Sequence, residues 1–484
     1  MPTRRSLRIT PPVQPPLDVG FAALRAELGT PGAFPEPVLT EAAAAAEAAS
    51  AARPPSEDAT ALELVTIDPP GSRDLDQALH IAAAPDGGWR VSYAIADVAA
   101  FVTPGGALDA EAHARGETLY MPDLRIPLHP PVLSEGAASL LPGQERPALL
   151  WTIDVAADGT PLSTDVRRAT VRSRRQLDYL QAQHGIDDGN GPEPLRLLRE
   201  VGSALVAAEA ARGGVDLDLP DQEVVAGPGG QWELHYRASL PVETWNAQIS
   251  LLTGMAAARL MLAGGTGILR TLPAPDGRTV SALRRSVTAL GMPWSEEVPY
   301  PEFLGSLRGA VPLEAAVLEL STRVLRGAGY VAFDGEPPAN SVHGAVAAPY
   351  AHVTAPLRRL VDRYAGETCL ALCAGRPVPE WVRAALPRLP EEMATANRRA
   401  HAVDREVVNL VEACLLAGRV GETFAGVIVE SGKQGGEVQV AEPAVRGRVL
   451  GTDLPVGVAV PVRLVEADPA KRSVTFALAS AHGA

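Results

Sequence analysis

Residues 62–80, with the sequence LELVTIDPPGSRDLDQALH, constrain the fold more than any other stretch of the chain. The apolar and β-branched run at residues 62–67 is typical of a buried strand, and the run ends at Asp68. The Pro-Pro-Gly-Ser sequence at residues 69–72 cannot continue a helix or a central strand. The sequence therefore predicts a buried strand that ends in an acidic residue and is followed at once by a turn.

Two further carboxylates, Asp74 and Asp76, follow this turn. If the segment is extended, both side chains face the same side, about 7 Å apart, and the turn can fold them back toward Asp68. Three converging carboxylates repel one another, and burial would raise their pKa values. A divalent cation relieves that repulsion, and Mg²⁺ prefers a few carboxylates together with water and phosphate. The spacing alone is equally consistent with an Asp-rich surface turn.

The segment IDPPGSRDLDQAL resembles the signature of the ribonuclease II and ribonuclease R exoribonucleases, the proteins with an RNB catalytic domain. Asp68, Asp74 and Asp76 match the first three acidic positions of that signature. The fourth position is Gln77, whose amide oxygen can still ligate a hard cation. The resemblance implies that these four residues bind Mg²⁺, with Mn²⁺ as an alternative, and that the three aspartates are catalytic.

A second candidate for chemistry lies at residues 343–372, where apolar residues between 357 and 364 recur with helical spacing. Pro356 suits the first helical position, so we expect Arg358 and Arg359 in the first turn, where free N–H groups and two arginines form an anion site. The alternative is a structural i,i+4 pair between Arg358 and Asp362. The stretch resembles the family's second motif, and Arg358 falls on its catalytic arginine.

Further contacts to RNA are implied by the resemblance alone. Tyr120 would stack on a terminal base, Glu243 would contact a ribose, and Asp404 lies where relatives have an active-site glutamate. The RNA-binding residues implied in this way are Tyr120, Tyr179, Glu243, Arg359 and Asp404.

The domain organisation follows from changes along the chain. Residues 1–58 indicate a disordered leader and a small helical or helix-turn-helix module, with helices at 21–28 and 38–52. Residues 59–418 indicate an α+β catalytic RNB domain with strands at 89–98 and 148–155, two or three helices within 163–236 that include one at 194–211, and further helices at 241–261 and 391–417. Residues 419–484 contain five short strands, which predicts an all-β OB-fold domain.

The composition of the chain limits the kinds of function and cellular location that fit it. The chain has 484 residues and a formal net charge of −14, which argues against indiscriminate coating of nucleic acid but allows a locally basic channel. Three cysteines are too few for a disulfide framework, so a reducing cytoplasm fits. The most apolar run, residues 249–263, is interrupted by Thr253 and Arg259, and we expect no transmembrane helix.

The resemblance covers roughly residues 60–480 through four motifs in the family's order. It implies a Mg²⁺-dependent 3′-to-5′ exoribonuclease that hydrolyses single-stranded RNA to nucleoside 5′-monophosphates, without a membrane or an obligate protein partner. One alternative is a catalytically weakened RNA-binding protein that lost a ligand at Gln77. Another is a phosphodiesterase of a different class, which would not need the C-terminal OB domain.

Overall fold

The computed structural model describes residues 15–51, 57–85, 87–217, 219, 221–226, 232–309, 311–322 and 324–479. Its α-helices are, in chain order, α1 (Pro15–Glu27), α2 (Glu36–Ala51), α3 (Ala107–Arg115), α4 (Tyr179–Asp187), α5 (Glu193–Ala211), α6 (Pro241–Gly264), α7 (Gly277–Ala289), α8 (Tyr300–Gly305), α9 (Pro312–Ser321), α10 (Leu360–Cys373), α11 (Glu380–Ala385) and α12 (Leu389–Leu416). Short 3₁₀ turns lie at Val98–Ala100 and Ala417–Arg419, and a π-helical turn lies at Leu133–Ala137.

Most strands fall into two groups, one in the first half of the chain and one at its C-terminal end. They are β1 (Glu57–Asp58), β2 (Leu64–Asp68), β3 (Gln77–Ala83), β4 (Trp89–Ala96), β5 (Leu119–Tyr120), β6 (Arg125–Ile126), β7 (Glu145–Val155), β8 (Pro161–Asp178), β9 (Asp221–Ala226), β10 (Trp232–Arg237), β11 (Thr266–Thr271), β12 (Gly329–Asp334), β13 (Val342–His343), β14 (Ala348–Pro349), β15 (Thr423–Gly432), β16 (Gly435–Val440), β17 (Val445–Leu450), β18 (Ala459–Asp468) and β19 (Ser473–Leu478).

Strands β2, β3, β4, β7 and β8 form a closed ring of hydrogen-bonded strands. Strand β8 is antiparallel to β7 from Pro161 to Arg172 and then runs parallel to β2 from Ser173 to Asp178. Strands β3 and β4 complete the ring between β2 and β7. The helices predicted within residues 163–236 are α4 and α5, but the prediction missed β8. Its many half-buried arginines conceal the alternation that normally reveals a strand.

The two faces of this sheet differ in side-chain size. On β4, Val91, Tyr93 and Ile95 face a large core that also contains buried residues of α5, α6 and α10. The alternating residues Ala94 and Ala96 face a second core shared with α2 and α3. Because side chains alternate along a strand, this pattern places Tyr93 on the same side of the sheet as α6.

The N-terminal helices attach to different parts of the protein. Helix α1 buries Leu17, Phe21 and Leu24 in a core shared with α12 and the C-terminal barrel. Gly20 allows the close approach, since a Cβ there would lie 2.7 Å from Cδ2 of Leu410. Helix α2 joins the core of α3 instead. The two predicted helices exist, and each is an outer layer of a larger core; residues 1–14 and 52–56 lie outside the described residues.

The C-terminal strands form a closed barrel in the order β15-β16-β17-β19-β18, as the predicted OB fold requires. The barrel is tied to the rest of the protein by direct bonds. The Ala444 N–H donates to the Leu234 carbonyl at 3.0 Å, and Arg446 pairs with Glu319 of α9 at 2.8 Å. The barrel and the catalytic domain are therefore in firm contact.

Helix α6 is the one helix in the described part of the chain that is long and apolar enough to cross a membrane. Within its most apolar stretch, 61% of the residues are buried inside the protein. This burial is expected of a core helix, and α6 packs against α5, α10 and the sheet.

Candidate active site

Asp68 is the last residue of β2, as predicted, and its backbone pairs with Asp178 at the end of β8. Its Oδ2 atom is buried and has no hydrogen-bond partner among the described residues. Burial, followed by repulsion from Asp74, raises the pKa of Asp68 to about 7, and the positive charge of Arg358 opposes this shift. Asp68 is thus a carboxylate with one unpartnered oxygen, and burial and repulsion from Asp74 disfavour its charged form.

Asp74 and Asp76 belong to an irregular segment, because the strand pairing of β3 begins only at Gln77. The segment is held by Ser139, whose Oγ accepts the Leu75 N–H at 3.0 Å and whose hydroxyl donates to the Arg73 carbonyl at 2.6 Å. Leu75 is completely buried and anchors the segment in the core.

Asp74 is bound by the short hairpin of β5 and β6. The Tyr120 hydroxyl donates to its Oδ2 at 3.0 Å, and Nη1 of Arg125 donates to its Oδ1 at 2.7 Å. Tyr120 and Arg125 are paired across the hairpin. The hairpin therefore delivers one cation and one hydroxyl to the same carboxylate.

Asp76 is buried and faces the loop before α10. Its Oδ1 accepts the Leu357 N–H at 2.7 Å, and its Oδ2 lies 3.4 Å from Nε of Arg358. Burial raises the pKa of Asp76 well above its usual range, although Arg358 and the Leu357 N–H favour the charged form. The two sequence motifs that carry the predicted catalytic residues thus meet at the Asp76–Arg358 pair.

The start of α10 differs from the prediction. The helix begins at Leu360 and not at Pro356, so Arg358 and Arg359 lie in the preceding loop. The backbone there is engaged by other elements, because the Thr118 N–H donates to the Arg358 carbonyl and the Leu360 N–H donates to the Gly116 carbonyl, both at 2.9 Å. These contacts replace the helical hydrogen bonds of the Arg358 carbonyl and the Leu360 N–H, whereas the Arg358 and Arg359 N–H groups donate to the Ala355 carbonyl.

The predicted alternative pairing also shifts by one residue. Asp362 binds Arg359, whose Nε and Nη2 donate to its two oxygens at 2.9 and 2.8 Å. The side chain of Arg359 is 14% exposed and that of Asp362 is fully buried. This pair satisfies the guanidinium inside the protein, and a contact between Arg359 and RNA stays a prediction.

Gln77 is the first residue of β3, and its amide is engaged on both sides. Its Nε2 donates to the Thr354 carbonyl at 2.7 Å. Its Oε1 accepts the Tyr93 hydroxyl, and the Ser250 hydroxyl donates to the same oxygen at 3.4 Å. The structure thus places the Gln77 amide oxygen against the hydroxyl groups of Tyr93 and Ser250.

The remaining predicted RNA-binding residues lie on elements around the site. Tyr120 is 36% exposed, and Tyr179 directly follows Asp178, the strand partner of Asp68. Asp404 lies on α12, the helix that packs against β5. Their roles toward RNA stay predictions.

Glu243 has a structural role in addition to the predicted one. Its Oε1 accepts the Leu240 N–H at 3.0 Å at the start of α6. Arg237 donates to both of its oxygens, at 2.7 and 3.0 Å. A ribose contact would have to form beside these bonds.

The described residues contain no group of three Asp, Glu, His or Cys side chains already arranged to hold a metal ion. The reason is visible in the contacts, since Asp74 is turned toward Arg125 and Asp76 toward Leu357 and Arg358. The chemistry of the donors nevertheless fits a hard cation. The buried Oδ2 of Asp68 has no partner, and a divalent cation would offset the repulsion that raises its pKa.

The sequence analysis missed several residues that shape this site, in particular Arg125, Ser139, Tyr93 and Ser250. A signal was available for Arg125. Residues Pro122 and Asp123 are turn formers, and a hairpin across them brings Tyr120 and Arg125 side by side. The other three act through contacts between segments distant in the chain, which local sequence does not reveal.

The structure thus has an acidic cluster at the edge of an α+β domain. The cluster faces an arginine, and an OB barrel follows the domain in the chain. These are the features of the exoribonuclease class that the sequence resembles. The particular family is shown by comparison with known proteins. The RNB domain family matches residues 56–368, and the RNase II-type exonuclease C-terminal S1 domain matches residues 422–479. The chain belongs to the RNB family.

Its relatives support this assignment. The chain is 26% identical to ribonuclease R of Thermotoga maritima over 457 residues, which is 90% of this chain and 63% of the relative. It is 30% identical to exoribonuclease 2 of Aeromonas hydrophila over 370 residues, covering 73% of this chain and 53% of the relative. The chain thus spans less than two thirds of the length of either relative.

Solved structures show the same fold. The apo form of Mycoplasma genitalium RNase R matches with a TM-score of 0.84 at 20% identity, covering 96% of this chain and 78% of that one. Yeast Ssd1, described as a pseudonuclease, matches with a TM-score of 0.68 at 17% identity, covering 84% of this chain and 52% of that one. The fold is therefore common to proteins described as a nuclease and as a pseudonuclease.

Proposed function

We propose that this protein is a 3′-to-5′ exoribonuclease that hydrolyses single-stranded RNA to nucleoside 5′-monophosphates with Mg²⁺ or Mn²⁺. The observation that carries the proposal is the Asp76–Arg358 contact, which joins an acidic cluster to a half-exposed arginine. Membership of the RNB family, and relatives named ribonuclease R and exoribonuclease 2, support the reaction class.

The cation would be held by Asp68, Asp74 and Asp76, and when bound it would supply Lewis acidity toward the phosphate. Arg358 would stabilise the negative charge that develops on the phosphoryl oxygens during hydrolysis. Its side chain is 38% exposed, so the guanidinium can reach a ligand while its Nε stays near Asp76.

The hairpin of β5 and β6 would orient the acidic cluster. Arg125 and Tyr120 fix the direction of the Asp74 carboxylate. The exposed ring of Tyr120 would also offer a base a surface for stacking. A contact from the Glu243 region to the ribose 2′-OH would favour RNA over DNA.

An end-labelled oligoribonucleotide with Mg²⁺ or Mn²⁺, resolved by length, tests the proposal. A 3′-phosphate block should slow digestion, whereas a 5′ block should not, and an all-deoxy oligomer should bind but resist cleavage. Equal cleavage of DNA and RNA would refute the 2′-OH role, and shortening from the 5′ end would refute the polarity.

A second candidate is an RNA-binding protein with weakened catalysis. Gln77 in place of the family's fourth acid favours it, as does the structural likeness to a protein described as a pseudonuclease. This alternative predicts binding of the same oligoribonucleotide without shortening at saturating Mg²⁺ or Mn²⁺.

A further inference from the structure

Two successive side chains bind opposite ends of the loop that carries Arg358. Asp76 accepts the Leu357 N–H at 2.7 Å, and Gln77 donates to the Thr354 carbonyl at 2.7 Å. The four-residue segment 354–357 is therefore fastened at both ends to the start of β3. Thr354 and Leu357 are 3% and 1% exposed, so these bonds lie away from solvent.

The acceptor side of the Gln77 amide is also engaged. The Tyr93 hydroxyl donates to the amide oxygen, and the Ser250 hydroxyl lies 3.4 Å from the same oxygen. The Ser250 hydroxyl is also 2.9 Å from the Tyr93 oxygen, so its single proton is shared between these two acceptors. The three side chains form one hydrogen-bonded group, which fixes the direction of the amide and so the direction in which its N–H groups point.

The donor side distinguishes glutamine from an acid at this position. A carboxylate has no N–H to give to the Thr354 carbonyl, and it would place two acceptors against each other. A buried carbonyl that loses its donor is destabilised, and the loop would shift to satisfy it. Glutamine thus makes a contact to the Arg358 loop that aspartate cannot make.

We propose that Gln77 is a positioning residue that sets the place of Arg358 through Thr354, and that it does not bind the metal ion. This inference rests on the proposed function and replaces the ligand role suggested by the sequence. Tyr93 and Ser250 support the amide from below. The loop is held from its other side by Asp362, whose Oδ1 accepts the Ala355 N–H at 2.7 Å.

The test compares Gln77→Ala and Tyr93→Phe with wild type in two measurements. The first is the single-turnover rate on an oligoribonucleotide at saturating Mg²⁺. The second is Mn²⁺ affinity of the protein alone, from the electron paramagnetic resonance signal of free Mn²⁺, which needs no hydrolysis. Gln222→Ala is the matched control, because Gln222 is buried and its Nε2 donates to the Ala444 carbonyl at the barrel.

A positioning role predicts that Gln77→Ala lowers the rate by on the order of 10²-fold, as misplacement of a catalytic group does. Mn²⁺ affinity should change by less than about twofold, since no ligand is lost. Tyr93→Phe, a variant of nearly unchanged shape, should lower the rate in the same direction. Gln222→Ala should leave both quantities near wild type.

A double-mutant cycle with Arg358→Ala tests the route of the effect. If Gln77 acts through Arg358, removing both should be about as slow as removing Arg358 alone, because the two losses are not independent. Rate losses that multiply would overturn the proposal. So would a tenfold or larger loss of Mn²⁺ affinity in Gln77→Ala, or a gain of Mn²⁺ affinity in Tyr93→Phe. A wild-type protein that does not shorten RNA would instead refute the proposed function itself.

Discussion

Two neighbouring arginines, Arg358 and Arg359, form ion pairs of opposite character. Arg359 gives two hydrogen bonds of 2.9 and 2.8 Å to Asp362, and both side chains are largely buried. Nε of Arg358 lies 3.4 Å from Oδ2 of Asp76, and the Arg358 side chain is 38% exposed. The first pair is satisfied by the protein, whereas the second keeps donor groups available for a ligand.

The two acids, Asp362 and Asp76, also differ in how well the protein compensates their charge. Both oxygens of Asp362 are used, by Arg359 and by the Ala355 N–H. Asp76 lies in a cluster where burial and the nearby Asp74 disfavour its charge. In this segment, the arginine proposed to act on RNA differs from its neighbour in having an incompletely satisfied ion pair.

The largest expected effect is at Asp76. Asp76→Asn should lower the single-turnover rate by about 10³-fold or more, because it removes a charge that acts on the transition state. RNA affinity should stay close to wild type, since asparagine can still accept the Leu357 N–H. Rates and affinities are measured on one single-stranded substrate, and a variant that keeps more than about a tenth of the rate would show that the metal site is elsewhere.

Replacing each arginine with alanine tests directly whether the two ion pairs have different roles. Arg358→Ala should lower the rate by about 10²-fold with little change in stability. Arg359→Ala should cost about 3 kcal/mol in the free energy of unfolding, because it leaves Asp362 buried without its cation. Urea titration and single-turnover kinetics on both variants check this, and equal loss of stability in the two would contradict the distinction.

A third expectation concerns Asp68 and pH. Its pKa is raised to about 7 in the folded protein, so ionisation costs stability as the pH rises from about 4, the value of an exposed aspartate, to about 7. With a chelator present, Asp68→Asn should therefore stabilise the protein more at pH 8 than at pH 5, by about 3 kcal/mol. The measurement is chemical denaturation at both pH values. A constant difference would show that Asp68 does not titrate in this range.

The smallest effect is expected at Tyr120. Tyr120→Phe removes one hydrogen bond to Asp74 and should lower the rate by about two- to tenfold. Tyr120→Ala also removes the exposed ring and should weaken RNA binding further. The two variants are compared by rate and by affinity, and identical RNA affinities would argue against stacking on this ring.

The parts predicted correctly from the sequence depend on local patterns. The strand ending at Asp68, helix α6 and the five barrel strands follow from runs of apolar residues and turn formers. Family resemblance added the pairing of the aspartate motif with Arg358. The spacing of Asp74 and Asp76 could not show that their segment is irregular, because Ser139 holds it from 64 residues away.

The errors have the same origin. The start of α10 is set by Asp76, Thr118 and Gly116, which bind the loop backbone in place of helical partners. No local signal at Pro356 reports those contacts. The hydrogen bonds of Gln77 were not predictable for the same reason, since its partners Tyr93, Ser250 and Thr354 lie in other parts of the chain.

Helix α1 contacts two other parts of the protein at once. Arg25 pairs with Asp123 in the hairpin that holds Asp74, at 2.6 Å, and Glu27 pairs with Arg472 of the barrel at 2.8 Å. A truncation at residue 56, where the family match begins, would remove Phe21 and Leu24. The apolar surface of α12 against which they pack would then be exposed to water. Such a fragment would expose an apolar surface and lose the ion pairs by which α1 contacts both the barrel and the β5–β6 hairpin, so the domain matched by sequence is smaller than the unit that packs together.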